Sequence, residues 1–346
     1  VTFTPRILFI PDAGPAVGGG HVMRGLTLAQ ALGEAGAACA VLATPAARVV
    51  LETFGDGIAR IDVAASGPGD LVETAARHAR TFDAVVIDHY GLSAADHRAI
   101  AAGKPTLVID DLADRPLAAD LVLDSGPTRQ PADYDGLVAP ETALLLGPRN
   151  APVRPAFPAL REAALARRAQ APPVRRILVS LGLTDVGAIT GRVVDLMLPL
   201  TGPAILDVVL GSGAPSLPAL RALAARAPTL ALHVDSQDMP RLTLEADLAV
   251  GAGGSSSWER CVLGLPTLLL VLADNQRQAS QALAAADAVL ALEVAAPDFD
   301  AAFTAALARL LAQPRLRDRL STASAAVCDG RGAARVADRF LGVLRP

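Results

Sequence analysis

At 346 residues and 52% apolar composition, the chain exceeds what one hydrophobic core usually serves and predicts two domains. A net charge of −4 with dispersed arginines offers no basic stripe and argues against a nucleic-acid partner. Cys39, Cys261 and Cys328 have neither pairing nor metal-ligand spacing, and no signal-peptide pattern or bilayer-length apolar run occurs, so a soluble, cytoplasmic protein without membrane attachment is expected.

In chain order, strand-like runs at Ile7 to Ile10, Ala38 to Leu42, Ala84 to Ile87 and Thr106 to Ile109 alternate with helical patterns over His21 to Ala35, Asp70 to Arg80 and Ser93 to Ala102. Further short strands are expected at Leu121 to Leu123 and Ala143 to Leu146. Runs that are apolar at every position suit parallel strands covered on both faces. Between Gly147 and Pro173 the composition shifts to prolines around an arginine-rich helical stretch, Ala159 to Ala169, which marks the domain junction. The alternation then restarts with strands at Ile177 to Ser180, Leu206 to Leu210, Ala231 to Val234, Leu248 to Val250 and Thr267 to Val271. A final helix, about Ala333 to Leu344, follows Gly330 and Gly332 and is free to pack back on the first domain. The expected fold class is α/β, with two Rossmann-type, doubly wound parallel-sheet domains facing a central cleft: 1–155, 156–330 and a returning helix in 331–346.

Two glycine loops follow strands. Gly18-Gly19-Gly20-His21-Val22-Met23-Arg24 reads as strand, loop, helix, with an imidazole beside a helix N-terminus that favours an anion. It lacks the dinucleotide fingerprint and the acidic residue about twenty positions on, which disfavours a nicotinamide cofactor. A tight turn with His21 in no chemical role is the simpler alternative. Gly251-Ala252-Gly253-Gly254-Ser255-Ser256-Ser257-Trp258-Glu259 is the second loop. On a helix beginning near Ser255, Trp258, Cys261, Val262 and Leu265 share a packing face, while Ser255, Ser256 and Glu259 face elsewhere. Serine hydroxyls with helix N–H groups suit a diphosphate, and the Glu259 carboxylate suits two ribose hydroxyls; plain helix capping is the alternative. Asp88-His89-Tyr90 and Asp110-Asp111 end strands, the latter pair reading most simply as helix capping and turn formation, and Tyr90 as a group that orients water or a sugar hydroxyl. In Asp274-Asn275-Gln276, the amides of Asn275 and Gln276 suit sugar or phosphate oxygens. His78, His97 and His233 lack paired ligands, and no metal motif occurs, so neither metal nor cofactor is expected.

These motifs, with Ile109-Asp110-Asp111-Leu112-Ala113, Gly147-Pro148, Arg154-Pro155, Glu259-Arg260, Gly264-Leu265-Pro266 and Asn275-Gln276, resemble in order the UDP-sugar hydrolases of pseudaminic acid biosynthesis, relatives of the GT-B glycosyltransferase that makes lipid II. The resemblance implies hydrolysis of UDP-2,4-diacetamido-2,4,6-trideoxy-β-L-altropyranose with inversion, releasing UDP. It implies His21 as catalytic base with Tyr90 in support. Gly19, Gly20, Arg24, Arg154, Gly253, Gly254, Ser255, Ser256, Glu259, Asn275 and Gln276 would then bind the nucleotide sugar. Leu183 stands where that family has a glycine, Val186-Gly187-Ala188 where it has an asparagine, and Asn150 where an aromatic is common. A GT-B glycosyltransferase, with His21 deprotonating an acceptor hydroxyl, is the alternative; an epimerase and a non-catalytic sensor fit less well. Nothing in the sequence identifies a protein partner.

Overall fold

The computed structural model describes residues 4–14, 17–65, 67–170 and 172–344, so the outermost ends of the expected domain ranges lie outside the described residues. The chain divides into two compact units. One comprises Val1–Val153 with Arg331–Pro346, the other Arg154–Gly330.

The first unit runs β1 (Arg6–Pro11), α1 (Gly20–Glu34), β2 (Ala38–Ala43), α2 (Pro45–Phe54), β3 (Ala59–Asp62), α3 (Pro68–Ala79), β4 (Ala84–Asp88), α4 (Ala94–Ala101), β5 (Thr106–Ile109), β6 (Leu121–Asp124) and β7 (Ala143–Leu146). All seven strands are parallel, in the order β3-β2-β1-β4-β5-β6-β7. Successive side chains of a strand point to opposite faces. Ile7 and Phe9 accordingly join a core with Val22, Leu28 and Leu32 of α1, whereas Leu8 and Ile10 join another with Leu71 and Ala75 of α3 and Ile100 of α4. Thr44 caps α2 by accepting from the Ala47 N–H, and Pro45 occupies its first turn.

The second unit runs α5 (Ala156–Arg168), β8 (Arg176–Ser180), α6 (Ile189–Thr201), β9 (Ile205–Leu210), α7 (Leu217–Ala224), β10 (Leu230–Val234), α8 (Met239–Glu245), β11 (Leu248–Ala252), α9 (Ser256–Val262), β12 (Thr267–Val271), α10 (Asp274–Ala285), β13 (Leu290–Glu293), α11 (Phe299–Ala312) and α12 (Pro314–Val327). Its parallel sheet is ordered β10-β9-β8-β11-β12-β13. The last helix, α13 (Gly332–Leu344), buries Val336, Ala337, Phe340 and Leu341 in the core that α1 forms with the first sheet. Gly332 is required there: an added Cβ would stand 2.1 Å from the Ala151 carbonyl oxygen.

In each sheet the strand order reverses beside the unit's first strand, between β1 and β4 and between β8 and β11. Ligands of open α/β sheets bind outside the carboxyl ends of the strands at such points. His21 follows β1 and Asp88 ends β4, paired in register with Pro11; the second glycine loop begins at the end of β11, where Gly251 pairs with Ser180 of β8. Among the described residues no helix is long and apolar enough to cross a membrane.

Candidate functional sites

In the first unit, the chain leaves β1 and turns through Gly18 at φ +69°, a left-handed conformation that favours glycine. Gly19 lies so close to α2 that a Cβ would stand 3.0 Å from Val50 Cγ2. Helix α1 then opens at Gly20 without a side-chain cap, placing His21 in its first turn and 5% exposed. One turn later, Arg24 emerges on the same side of the helix.

His21 Nδ1 lies 2.5 Å from Asp88 Oδ1. Arg24 takes both oxygens of that carboxylate, donating from Nε to Oδ2 at 2.5 Å and from Nη2 to Oδ1 at 2.6 Å. Its Nη1 donates to Asp111 Oδ2 at 2.7 Å, and the Tyr90 hydroxyl donates to the same oxygen at 2.8 Å. The Tyr90 and His21 rings meet at 86° with centroids 4.6 Å apart. Burial alone would raise the Asp88 carboxyl, but the Arg24 charge and the hydrogen bonds from Arg24 and His21 hold it far below the usual carboxylate range. Burial opposes the Arg24 charge in turn, yet Asp111 and Asp88 raise it well above its ordinary value. An ionised carboxylate only accepts hydrogen bonds, so in the short contact the ring donates from Nδ1. The carboxylate fixes the orientation of the imidazole ring.

Its neighbours are equally determined. Burial lowers the His89 imidazole below its ordinary value against the pull of Asp12, whose Oδ1 lies 3.6 Å from Nε2. Asp110 and Asp111 do not cap a helix, but Asp110 holds the turn that follows β5, the other half of the simple reading. Asp110 accepts from the Ala113 N–H, from Arg115 and from the Tyr134 hydroxyl, which also lies 2.9 Å from Asp124 Oδ2. His97 is buried, and burial lowers it to about 4; His233 lies 2.9 Å from Asp207.

In the second unit, the loop after β11 carries its glycines for steric reasons. A Cβ on Gly251 would lie 2.6 Å from the Arg260 guanidinium carbon, and one on Gly253 would lie 2.5 Å from Ser280 Oγ of α10. Gly254 is open by comparison, with Gln276 Nε2 at 4.0 Å from an added Cβ. Helix α9 ends at Val262, so Leu265 does not share its face as expected and packs instead with Leu178, Leu242 and Ala249. Arg154 holds Glu259 bidentately, from Nε to Oε1 at 2.7 Å and from Nη2 to Oε2 at 3.1 Å, and its guanidinium lies over the Phe157 ring. The Ser256 hydroxyl accepts from Arg260, Gln276 Oε1 accepts from the Leu272 N–H, and Asn275 is exposed in the first turn of α10.

The structure thus gathers His21, Arg24 and Tyr90 in the first unit, and Arg154, Glu259, Ser256 and Gln276 around one loop of the second. The nitrogens of Arg24, expected to meet the ligand, engage Asp88 and Asp111. Sequence reasoning did not single out Asp88, Asp111 or Arg260 as site residues. For Asp88 the available signal was a carboxylate ending a fully buried strand, two residues before Tyr90.

No family model matches the chain. The spore coat polysaccharide biosynthesis protein SpsG of Bacillus subtilis is 28% identical over 197 residues, 56% of this chain and 57% of that protein, so the match spans little more than half of this relative. The UDP-2,4-diacetamido-2,4,6-trideoxy-β-L-altropyranose hydrolase of Campylobacter jejuni is 23% identical over 281 residues, covering 81% of this chain and 96% of that protein. Its description names the group that the motifs resemble. Among solved structures, MurG of Acinetobacter baumannii aligns with a TM-score of 0.68 at 20% identity, over 98% of this chain and 99% of that chain. S. aureus MnaA, in a co-structure with UDP, aligns with a TM-score of 0.67 at 13% identity, over 99% and 97%. The fold is therefore of the GT-B glycosyltransferase type, with two parallel-sheet α/β units.

Proposed function

We propose that the protein is a nucleotide-sugar hydrolase that cleaves UDP-2,4-diacetamido-2,4,6-trideoxy-β-L-altropyranose at its anomeric C–O bond with inversion. The observation that carries this reading is the 2.5 Å contact of His21 Nδ1 with Asp88 Oδ1 beside the first glycine loop; in this reading the imidazole is neutral with its proton on Nδ1. Nε2 of His21 takes a proton from water as the water oxygen bonds to the anomeric carbon. The bond from that carbon to the phosphate oxygen breaks, and its electron pair leaves with UDP. Asp88 stabilises the imidazolium so formed, while Arg24 and Tyr90 keep the pair in place. Neither group then needs to contact the sugar.

In the second unit, the Gly253-Gly254-Ser255 backbone and the Ser255 and Ser256 hydroxyls receive the diphosphate. Glu259 accepts from the ribose hydroxyls through lone pairs that Arg154 leaves available, since an ionised carboxylate offers about four acceptor positions. Asn275 and Gln276 complete the nucleotide-sugar contacts. The protein works in the cytoplasm on this small molecule, without a metal or cofactor.

The test is incubation of the purified protein with this UDP-sugar in oxygen-18 water, with chelator and without acceptor, followed by NMR. Release of UDP with the label on the sugar carbon supports the reading. UDP binding without release removes hydrolysis and reassigns His21 to deprotonating an acceptor hydroxyl, as in the glycosyltransferase alternative.

A further inference from the structure

Arg260 is 4% exposed, and its guanidinium lies beneath the Gly251–Ser257 backbone. Nη2 donates to the Ala252 carbonyl at 2.6 Å and to Ser257 Oγ at 3.0 Å, and Nη1 donates to Ser256 Oγ at 3.0 Å. The buried Nε has no hydrogen-bond partner. Among the described residues no carboxylate lies within ion-pair distance; the adjacent Glu259 is held by Arg154. Burial lowers the guanidinium to about 10, which still leaves it cationic at neutral pH.

Arginines elsewhere in the chain have stronger acceptors, although Arg168 also keeps a buried Nε without a partner and burial lowers it to about 9. Arg24 has two carboxylates. Arg168 reaches the Thr243 and Ala246 carbonyls at the end of α8, and Arg317 the Leu310 and Leu311 carbonyls at the end of α11, where a helix presents its negative pole. Arg260 has one carbonyl and two hydroxyls. A buried cation with neutral partners is costly, and the cost is relieved when an anion settles nearby. The loop backbone packs directly on the guanidinium: Gly251 has no room for a side chain on the Arg260 side, and Gly253 none on the α10 side.

Building on the nucleotide reading above, we infer that Arg260 is a positioning residue that charges the Gly251–Ser257 loop from behind. It makes the site select a ligand bearing a diphosphate over the same nucleoside without one. Arg260 does not touch the ligand. Its charge acts through the loop backbone and through the Ser256 hydroxyl, whose oxygen it occupies so that the proton is free for a ligand, while the buried Ser257 hydroxyl donates to the Ala252 carbonyl.

The experiment is calorimetric titration of the full-length protein with UDP and with uridine, for wild type, Arg260→Met and Arg260→Lys. The expected result is that Arg260→Met weakens UDP by about tenfold or more while uridine changes by less than about twofold, as removal of a charge acting on phosphate predicts. Arg260→Lys retains most of the preference for UDP. Equal losses for UDP and uridine would make Arg260 a structural staple only and overturn the inference, as would unchanged UDP affinity. If Arg260→Met does not fold, Arg260→Gln keeps a donor without the charge; a preference for UDP as strong as that of Arg260→Lys then overturns it. Failure of the wild type to bind UDP removes the nucleotide reading itself, and this inference with it.

Discussion

His21 and Asp88 are 67 positions apart in the chain and 2.5 Å apart in the fold. Replacing Asp88 by Asn removes the ionised acceptor that keeps the proton on Nδ1 and stabilises the imidazolium. Under the proposed reaction, Asp88→Asn lowers turnover by about 10²- to 10⁴-fold, the range for losing a base and its orienting carboxylate. UDP affinity stays near that of wild type. Steady-state kinetics paired with UDP titration checks both, and near-normal turnover excludes His21 as a base oriented by Asp88.

The same carboxylate governs acid stability. Its pKa in the folded protein lies below that of the unfolded chain, so the ionised form favours folding. That contribution is fully present above the unfolded value near 4 and fades as pH falls through the lower folded value. Arg24→Met leaves a buried carboxylate without its main partner and costs about 3–5 kcal/mol at pH 7. Urea titrations from pH 7 down to pH 3 then show the gap between wild type and variant widest at neutral pH and closing toward acid. A gap independent of pH contradicts the assignment.

Arg154 and Glu259 act as a unit. In UDP binding, the double variant Arg154→Met with Glu259→Gln loses less than the two single losses combined, with a coupling of about 0.5–3 kcal/mol. Additive losses would mean that Arg154 reaches the ligand independently of Glu259. The measurement is a double-mutant cycle by calorimetry.

Burial pushes the Cys39 and Cys261 thiols up to about 12. The thiolate is the reactive form, so both resist thiol–disulfide exchange in the native protein near pH 8 and react at the rate of a free thiol once denatured. A time course with a chromogenic disulfide, with and without guanidinium, reads this directly. Fast native labelling of either residue would place it in a more accessible environment.

Elements with uninterrupted apolar character were legible in the sequence, because a strand covered on both faces has no polar position to disguise it. β3 was not: Ala59-Arg60-Ile61-Asp62 is an edge strand with only Ile61 half-buried, so burial leaves little mark on its composition. α2 carried a readable start in Thr44-Pro45 that the strand-by-strand reading passed over. At the sites, His21, Tyr90 and Glu259 stood out because each adjoins a strand end or glycine loop. Their partners did not, because a carboxylate at a strand end serves many purposes until topology supplies the arginine. Asp88 meets Arg24 across 64 positions and Glu259 meets Arg154 across 105, separations that no local pattern encodes.

Phe340 and Val336 belong to the core built on β1, yet they are synthesised after every residue of the second unit. At ribosomal rates of about 5–20 residues per second, the first sheet waits on the order of ten seconds, with part of its apolar face uncovered, for the helix that closes it. The contiguous second unit has no such wait. The half of the molecule that begins first on the ribosome is therefore the half that finishes last, and its exposed interval is where a chaperone would act.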